Sequence, residues 1–403
     1  MLKQINSRTS IVLLNQFSAL FGIMIISKSL DLQTFYIFSA VTILFQVLFT
    51  ITEWGFSIYS INYFKNKRNK KEINYFIILV YGSKLILLFF IILILSIFFY
   101  FKIFFFDNYL IFISFIFLII SAGLSPLWFF QAIQKPEILI WPTFYSKIIY
   151  IFIIFFIFVL IDSKEVYWAL IAQGLSFAIV SIYGYQKIKE FRKISSKLPD
   201  LINFLKILKS TFSFFISVII TNFFYSLWGI LILIFSAPLQ IIIFNISDLF
   251  LKSGIALSQS LPEIFLGIKN KKKLKKYTYF SILILFIVAI IGILISHLFI
   301  KIIFGEQYLI ASNIVNVTII IWFLCSTTKI INYSVTANKF NLDKVNRLNI
   351  IVGFLHIIFM IFWIFSLSYS ALFLSLLVLT INLIQLMILI TINSFSFEYK
   401  TNR

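Results

Sequence analysis

The sequence predicts an all-α polytopic membrane protein with twelve transmembrane helices in two six-helix lobes around a central cavity. Three observations predict this class. Of the 403 residues, 61% are hydrophobic and only 12% are charged, and the mean hydropathy is +1.05. The apolar residues form runs of about 20 or more, the length that crosses a hydrocarbon core of about 30 Å. The basic residues concentrate in alternate gaps between those runs.

Twelve apolar runs account for most of the chain, and short polar gaps separate them. Because these runs occupy most of the chain, no room remains for a soluble domain. The composition agrees, since soluble domains are nearer half apolar and about a quarter charged. The predicted helices span residues 9–30, 34–60, 73–100, 109–133, 137–161, 166–187, 206–235, 238–266, 277–302, 308–335, 347–366 and 370–393.

The distribution of Lys and Arg predicts the orientation in the membrane. Of the 34 such residues, 26 lie in one set of alternating segments, and the richest of these are 64–72, 187–209 and 269–276. Four residues lie in the opposite set: Lys28, Lys102, Lys164 and Lys301. Because cytoplasmic loops carry the excess of basic residues, both termini are predicted to be cytoplasmic. The same rule explains the net charge of +20 without nucleic acid, and predicts anionic lipids as partners.

The longest polar gap divides the chain. It predicts an N-terminal lobe of residues 1–190, a basic cytoplasmic linker of residues 191–205 and a C-terminal lobe of residues 206–403. The basic segment after helix two is matched by one after helix eight, which suggests a parallel internal duplication of the kind common in transporters. The alternative is that both halves independently follow the positive-inside rule.

Lysines within the predicted helices are the candidate binding residues. A charge at the bilayer centre costs roughly 2.5–3.5 kcal/mol on insertion scales, so such residues commonly face a water-filled cavity. A cationic cavity would suit a phosphate or pyrophosphate. The alternative is that long side chains snorkel to the interface, most readily Lys329. The predicted cavity lysines are Lys28, Lys84, Lys147, Lys252 and Lys329.

Two acidic residues are predicted to modulate this positive charge. Asp248 and Lys252 are four residues apart, which places them on one helix face as an ion pair. The pair would either neutralise itself or release Lys252 to a passing anion. Glu53 lies near the cytoplasmic end of helix two, where it is a proton or cation handle or simply a solvated acid.

No enzyme signature is present in the sequence. It contains no HExxH, GxSxG or Walker A pattern. The chain is therefore not expected to be an enzyme or to hold a cofactor or a metal. Without a nucleotide-binding motif, any transport is expected to use a proton or sodium gradient or to be passive.

Helix four carries the motif that identifies a family. Residues 125–132 read SPLWFFQA, which resembles the Pro-x-Trp-Phe-Phe-Gln-Gly segment of Wzx-type polysaccharide flippases, within the multidrug/oligosaccharidyl-lipid/polysaccharide superfamily. Residues 53–57, EWGFS, resemble a second element of that family. Residues 28–30, KSL, resemble the junction after helix one, although Asp31 stands where the family has Gly. The motif residues in this sequence are Pro126, Trp128, Phe129, Phe130 and Gln131.

This resemblance implies movement of undecaprenyl-diphosphate-linked oligosaccharide repeat units from the cytoplasmic to the external leaflet. It also implies residence in the bacterial inner membrane, a role in O-antigen or a related polysaccharide pathway, and polymerase and chain-length machinery as partners. Two alternatives remain. A cation-coupled multidrug exporter of the same superfamily would favour intramembrane acids over lysines. A membrane polysaccharide polymerase or glycosyltransferase would carry one large external loop, whereas the predicted external gaps are short.

Overall fold

The protein is an all-α polytopic membrane protein. The computed structural model describes residues 2–65, 70–102, 108–191, 199–218, 224–258, 271–336 and 342–398, and every regular element within these ranges is helical. The α-helices are α1 (Leu2–Ser29), α2 (Leu32–Glu53), α3 (Phe56–Lys65), α4 (Lys70–Tyr100), α5 (Tyr109–Gly123), α6 (Leu127–Ala132), α7 (Ile140–Phe155), α8 (Val166–Phe191), α9 (Leu201–Val218), α10 (Phe224–Phe235), α11 (Pro238–Ser258), α12 (Lys271–Phe304), α13 (Ala311–Thr336), α14 (Leu342–Phe365) and α15 (Ala371–Glu398).

Hydropathy located the helices correctly. Each of the twelve predicted ranges overlaps at least one helix of the described chain. In that part of the chain, ten helical segments are long and apolar enough to cross a membrane, and Ile351–Phe365 is a shorter apolar helix. The agreement follows from the requirement that a chain in hydrocarbon satisfies its backbone hydrogen bonds internally, which a helix does within one segment.

The second predicted helix is wrong as one continuous element. Helix α2 ends at Glu53, and α3 begins at Phe56. Between them Trp54 has φ 42° and Gly55 has φ 72°, both in the left-handed region. Left-handed backbone ends a right-handed helix, and glycine adopts it without steric cost. The break therefore falls at a Trp-Gly pair within an otherwise apolar run.

The fourth predicted helix is also divided, at Pro126. Helix α5 ends at Gly123, and α6 begins at Leu127, directly after the proline. Proline lacks an N–H group and disfavours helical backbone at the residue before it, here Ser125. Where the sequence predicts one helix over 109–133, the structure has two helices joined by a short turn.

Asp31 explains how α2 begins. Its side-chain Oδ1 accepts a hydrogen bond from the Thr34 backbone N–H at 2.7 Å, so the carboxylate caps the helix. Hydrogen bonding to Thr34, with a smaller contribution from the charge of Lys164, lowers the pKa of Asp31 below its ordinary value. An acidic residue at the position where the resembled family has Gly thus has a local structural role.

The described helices form two compact units. The N-terminal unit comprises Ser10–Leu227, and the C-terminal unit comprises Met1–Thr9 with Trp228–Arg403. In the N-terminal unit, α8 packs against α5 and α7, and α4 packs against α2, α5 and α9. In the C-terminal unit, α13 packs against α11, α12 and α15. Helix α9 therefore packs with helices that precede it in the sequence. The predicted lobe boundaries and the internal duplication stay predictions.

Candidate functional site

Lys84 lies at the junction of three helices of the N-terminal unit. Its side chain is fully buried in α4. The ammonium Nζ lies 2.6 Å from Glu53 Oε1 at the end of α2, and donates a second hydrogen bond to the carbonyl oxygen of Gly123 at 3.0 Å, at the end of α5. The Ser57 hydroxyl donates to the other carboxylate oxygen of Glu53 at 3.2 Å. Both ends of the ion pair are thus held by further polar contacts.

The charge of Lys84, a predicted cavity lysine, is compensated within the protein. Burial of an ammonium is costly, and a counter-charge together with hydrogen bonds offsets its lost hydration. Glu53 supplies the counter-charge, and its side chain is 22% exposed. The last carbonyls of α5 add partial negative charge. Lys84 and Glu53 therefore form an ion pair without net charge that connects α4 to α2. The sequence does not predict this pair, because the two residues are 31 positions apart.

Lys147 is buried in a different environment. It lies on α7, and its Nζ donates to the hydroxyl of Ser176 on α8 at 2.9 Å. The same ammonium lies 4.6 Å from the centroid of the Phe177 ring, an arrangement that attracts a cation to the face of the ring. Ser146 Oγ lies 3.5 Å from Ser176 Oγ. Among the described residues, no carboxylate lies within 4.0 Å of the Lys147 ammonium.

The sequence predicts part of the polar environment of Lys147. Thr143, Ser146 and Lys147 recur at intervals of three and one residues on α7, which places a threonine, a serine and a lysine along one side of a helix. All three are buried. The sequence does not distinguish Ser176 and Phe177 as partners of Lys147, because a serine and a phenylalanine in an apolar run carry no distinctive signal.

Asp248 and Lys252 form the ion pair that their spacing predicts. Lys252 Nζ lies 2.5 Å from Asp248 Oδ2, one turn away on α11 in the C-terminal unit. The aspartate side chain is 7% exposed and the lysine side chain 30% exposed. The pair therefore sits at the border of the packed interior, with the lysine on the more accessible side.

The other two predicted lysines are accessible. Lys28 lies in the last turn of α1, where a positive charge complements the negative end of the helix dipole. Lys329 lies on α13. Both side chains are exposed, and whether Lys329 faces a cavity or the membrane interface stays a prediction.

The motif residues of helix four form part of the packed interior. Trp128, Phe129 and Phe130 on α6 are fully buried. They belong to a cluster with residues of α3 and α4, in which the Trp128 ring lies edge-on to Phe76 at 6.1 Å. Pro126 is buried and Gln131 is half-buried. The motif thus positions the α5–α6 turn, and its aromatic side chains are covered by protein.

Comparisons with known proteins agree with this architecture. Residues 1–245 match the family model described as polysaccharide biosynthesis protein. The fold is similar to that of the lipid II flippase MurJ in an inward closed conformation, with a TM-score of 0.71 and 16% identity over 95% of this chain and 87% of that chain. No curated protein matches the sequence.

Two further similar structures are MATE transporters. An inward-facing MATE family transporter of the MOP superfamily has a TM-score of 0.63 and 13% identity over 97% of this chain and 96% of that chain. The MATE transporter VcmN of Vibrio cholerae has a TM-score of 0.59 and 14% identity over 98% of this chain and 97% of that chain. At these identities the likeness shows the fold alone.

Proposed function

Because the chain belongs to the family of polysaccharide biosynthesis proteins, we propose that it is a flippase for undecaprenyl-diphosphate-linked oligosaccharide repeat units. It moves them by alternating access from the cytoplasmic to the external leaflet of the bacterial inner membrane, in O-antigen or another surface polysaccharide pathway. The fold shared with a lipid II flippase supports this proposal. The proposal contains no covalent step, so the chain acts as a transporter and not as an enzyme.

The observation that carries the proposal is the uncompensated charge of Lys147. An ammonium has three N–H donors. Within the described residues its polar partner is the Ser176 hydroxyl, its other contact is the Phe177 ring, and no carboxylate is within 4.0 Å. By contrast, Lys84 and Lys252 are each paired with a carboxylate. An anionic ligand would supply the counter-charge that the described residues around Lys147 do not provide.

A diphosphate is the ligand that suits this environment. Its oxygens accept charge-assisted hydrogen bonds, which are roughly twice as strong as neutral ones. The Ser176 hydroxyl and the Phe177 ring hold the ammonium in place before the ligand arrives, so less side-chain entropy is lost on binding. A lysine binds phosphate as a point charge without fixed geometry, which allows the ligand to leave on the other side.

The same charge argues against a cationic cargo. An exporter of cationic drugs would need a carboxylate to attract its substrate, whereas an ammonium that no described carboxylate neutralises repels it. We propose that a proton or sodium gradient supplies the free energy for transport. Neither a nucleotide nor a cofactor is needed for the movement of a lipid-linked anion between leaflets.

Neutralising Lys147 tests the proposal. The variant Lys147→Met keeps the length of the side chain and removes its charge. In proteoliposomes loaded with fluorescent undecaprenyl-diphosphate-linked oligosaccharide, we expect the flipping rate to fall by about tenfold to a hundredfold, the equivalent of one charge-assisted hydrogen bond of about 1.5–3 kcal/mol. The rate is measured as the appearance of fluorescence accessible to a membrane-impermeant quencher.

A matched control is Lys276→Met, which removes an exposed lysine of α12. It is expected to transport at the wild-type rate. Elution at the wild-type volume and a helical circular dichroism spectrum show that both variants fold. An unchanged rate in folded Lys147→Met, or wild-type protein that moves only a cationic drug, would contradict the proposal.

A further inference from the structure

Helix α9 has an inner face fastened to α3, α4 and the turn at Trp54. The Trp54 indole Nε1 donates to the carbonyl oxygen of Leu208 at 3.1 Å, and its ring stacks on the Phe215 ring at 3.9 Å. Ser83 on α4 donates to the carbonyl oxygen of Phe204 at 3.4 Å. The acceptors are four residues apart, so both bonds reach the same side of α9. This side of α9 therefore packs against other helices of the N-terminal unit.

The opposite side of α9 combines positive charge with exposed apolar surface. Lys206 and Lys209 are exposed, as are Ile202 at 63% and Leu205 at 53%. Phe212, at the edge of this side, is 47% exposed, and its ring centroid also lies 6.2 Å from that of Trp54. These positions recur every one to four residues along one stripe of the helix. The helix contains no acidic residue, and no carboxylate of the described chain forms an ion pair with either lysine.

Such a surface matches a lipid that has an anionic headgroup. In water, the ammonium groups would be solvated, but the three large apolar side chains would remain exposed to solvent. In pure hydrocarbon, the apolar side chains would be covered, but the charges would lose their hydration. A phospholipid satisfies both, because its phosphate lies at the interface and its acyl chains lie below it. Two uncompensated lysines favour an anionic over a zwitterionic headgroup.

We propose that the outer face of α9 binds one anionic phospholipid, whose phosphate contacts Lys206 and Lys209. Its acyl chains cover Ile202, Leu205 and Phe212. This site belongs to the N-terminal unit and is independent of the transport function proposed above.

A lipid bound to α9 would stabilise the packing of this helix next to the buried Glu53–Lys84 pair. Trp54 directly follows Glu53, and Ser83 directly precedes Lys84, so the two residues that fasten α9 adjoin the buried ion pair. A lipid that binds only when α9 is packed in place stabilises that packing by mass action. The lipid would thus hold α9 against the part of α2 and α4 that carries the pair.

A photocrosslinking experiment tests the site on the full-length protein. Purified protein in phosphatidylcholine nanodiscs is exposed to a trace of diazirine-bearing phosphatidylglycerol, and the yield of crosslinked peptide from residues 201–218 is measured by mass spectrometry. Lys206→Gln with Lys209→Gln is expected to lower that yield by roughly 10-fold to 30-fold, since each lysine near an anionic headgroup contributes about a fivefold preference. Lys206→Arg with Lys209→Arg keeps both charges and is expected to keep most of the yield.

The matched control removes two lysines whose charges are already compensated. Lys164→Gln with Lys187→Gln changes the net charge equally, but those lysines pair with Asp162 and Glu190, so the α9 yield is expected to be unchanged. An equal yield from diazirine-bearing phosphatidylcholine, or an unchanged yield in the α9 glutamine variant, overturns the proposal. Competition by inorganic phosphate as effective as that by unlabelled phosphatidylglycerol also overturns it, because the site would then bind a free anion and not a lipid.

Discussion

At the scale of single residues, the two buried lysines of the N-terminal unit differ in what offsets their charge. Lys84 has a carboxylate at 2.6 Å and a helix-end carbonyl at 3.0 Å. Lys147 has a hydroxyl and an aromatic face, which offset less of the lost hydration. Burial alone therefore does not identify a binding lysine. The partner of the ammonium decides whether its charge is used within the fold or remains for a ligand.

This distinction predicts that Lys84 stabilises the fold. In Lys84→Met, Glu53 loses its counter-charge and the Gly123 carbonyl loses a donor. Breaking a buried pair from one side costs about 3–5 kcal/mol, and we expect about 3 kcal/mol because Glu53 keeps 22% of its side chain exposed. The measurement is the free energy of unfolding in detergent, followed by circular dichroism or tryptophan fluorescence.

Two further variants make this prediction specific to the pair. Glu53→Gln combined with Lys84→Met removes both charges, and is expected to be more stable than Lys84→Met alone. The exposed lysine of the Lys164–Asp162 pair provides the control, since Lys164→Met should cost less than about 1 kcal/mol. Wild-type stability in Lys84→Met would show that the buried pair does not hold α2, α4 and α5 together.

At the scale of elements, the packing of α9 on α4 depends on a glycine. A Cβ atom added to Gly82 would lie 2.8 Å from Cδ1 and Cζ of the Phe204 ring, and nearer still to Cε1. Such distances are shorter than van der Waals contact, so the ring must move. Gly82 thus permits the close approach that brings the Phe204 carbonyl within reach of Ser83.

Gly82→Ala is therefore expected to destabilise the protein by about 1–3 kcal/mol, as overpacking of an interior does. The gain in helix propensity from alanine, about 1 kcal/mol, offsets part of this cost. Thermal unfolding in detergent measures the effect. Gly82→Ala with Phe204→Leu should recover stability, because the obstructing ring is gone.

The same substitution elsewhere serves as the comparison. A Cβ on Gly292 in α12 would lie 3.3 Å from Cδ1 of Ile319, the end of a flexible side chain. Gly292→Ala is expected to be neutral or stabilising. Equal stability of the Gly82 and Gly292 variants would mean that α9 tolerates displacement from α4.

At the scale of the whole molecule, charge placement predicts how the chain crosses the membrane. With Cys325 replaced by serine, single cysteines at Lys272 and Ser163 report on opposite predicted sides. We expect a membrane-impermeant maleimide to label Ser163→Cys in intact cells, and to label Lys272→Cys only after permeabilisation. The asymmetry follows from the excess of basic residues in cytoplasmic loops. Labelling of Lys272→Cys in intact cells would reverse the orientation, and with it the proposed direction of transport.

The sequence by itself determined the fold class and the approximate positions of the apolar helices, but not the breaks within the second and fourth predicted helices. Apolar length and basic gaps are properties of contiguous residues, so they are visible without a structure. The Asp248–Lys252 pair was predictable for the same reason, because four residues make one helical turn. The motif of helix four indicated the family, and the match of residues 1–245 to polysaccharide biosynthesis proteins confirmed it.

Only the tertiary structure decided which buried charges are compensated. Glu53 and Lys84 are 31 residues apart, and Lys147 and Ser176 are 29 apart, so each partnership depends on how separate helices pack. Packing also decided that α9 lies against α3 and α4. The break at Trp54 and Gly55 depends on left-handed backbone angles at both residues. The local conformational preferences of a Trp-Gly pair are too weak to predict these angles from the sequence. Hydropathy is a sum over neighbours in sequence, whereas desolvation and ion pairing depend on neighbours in space.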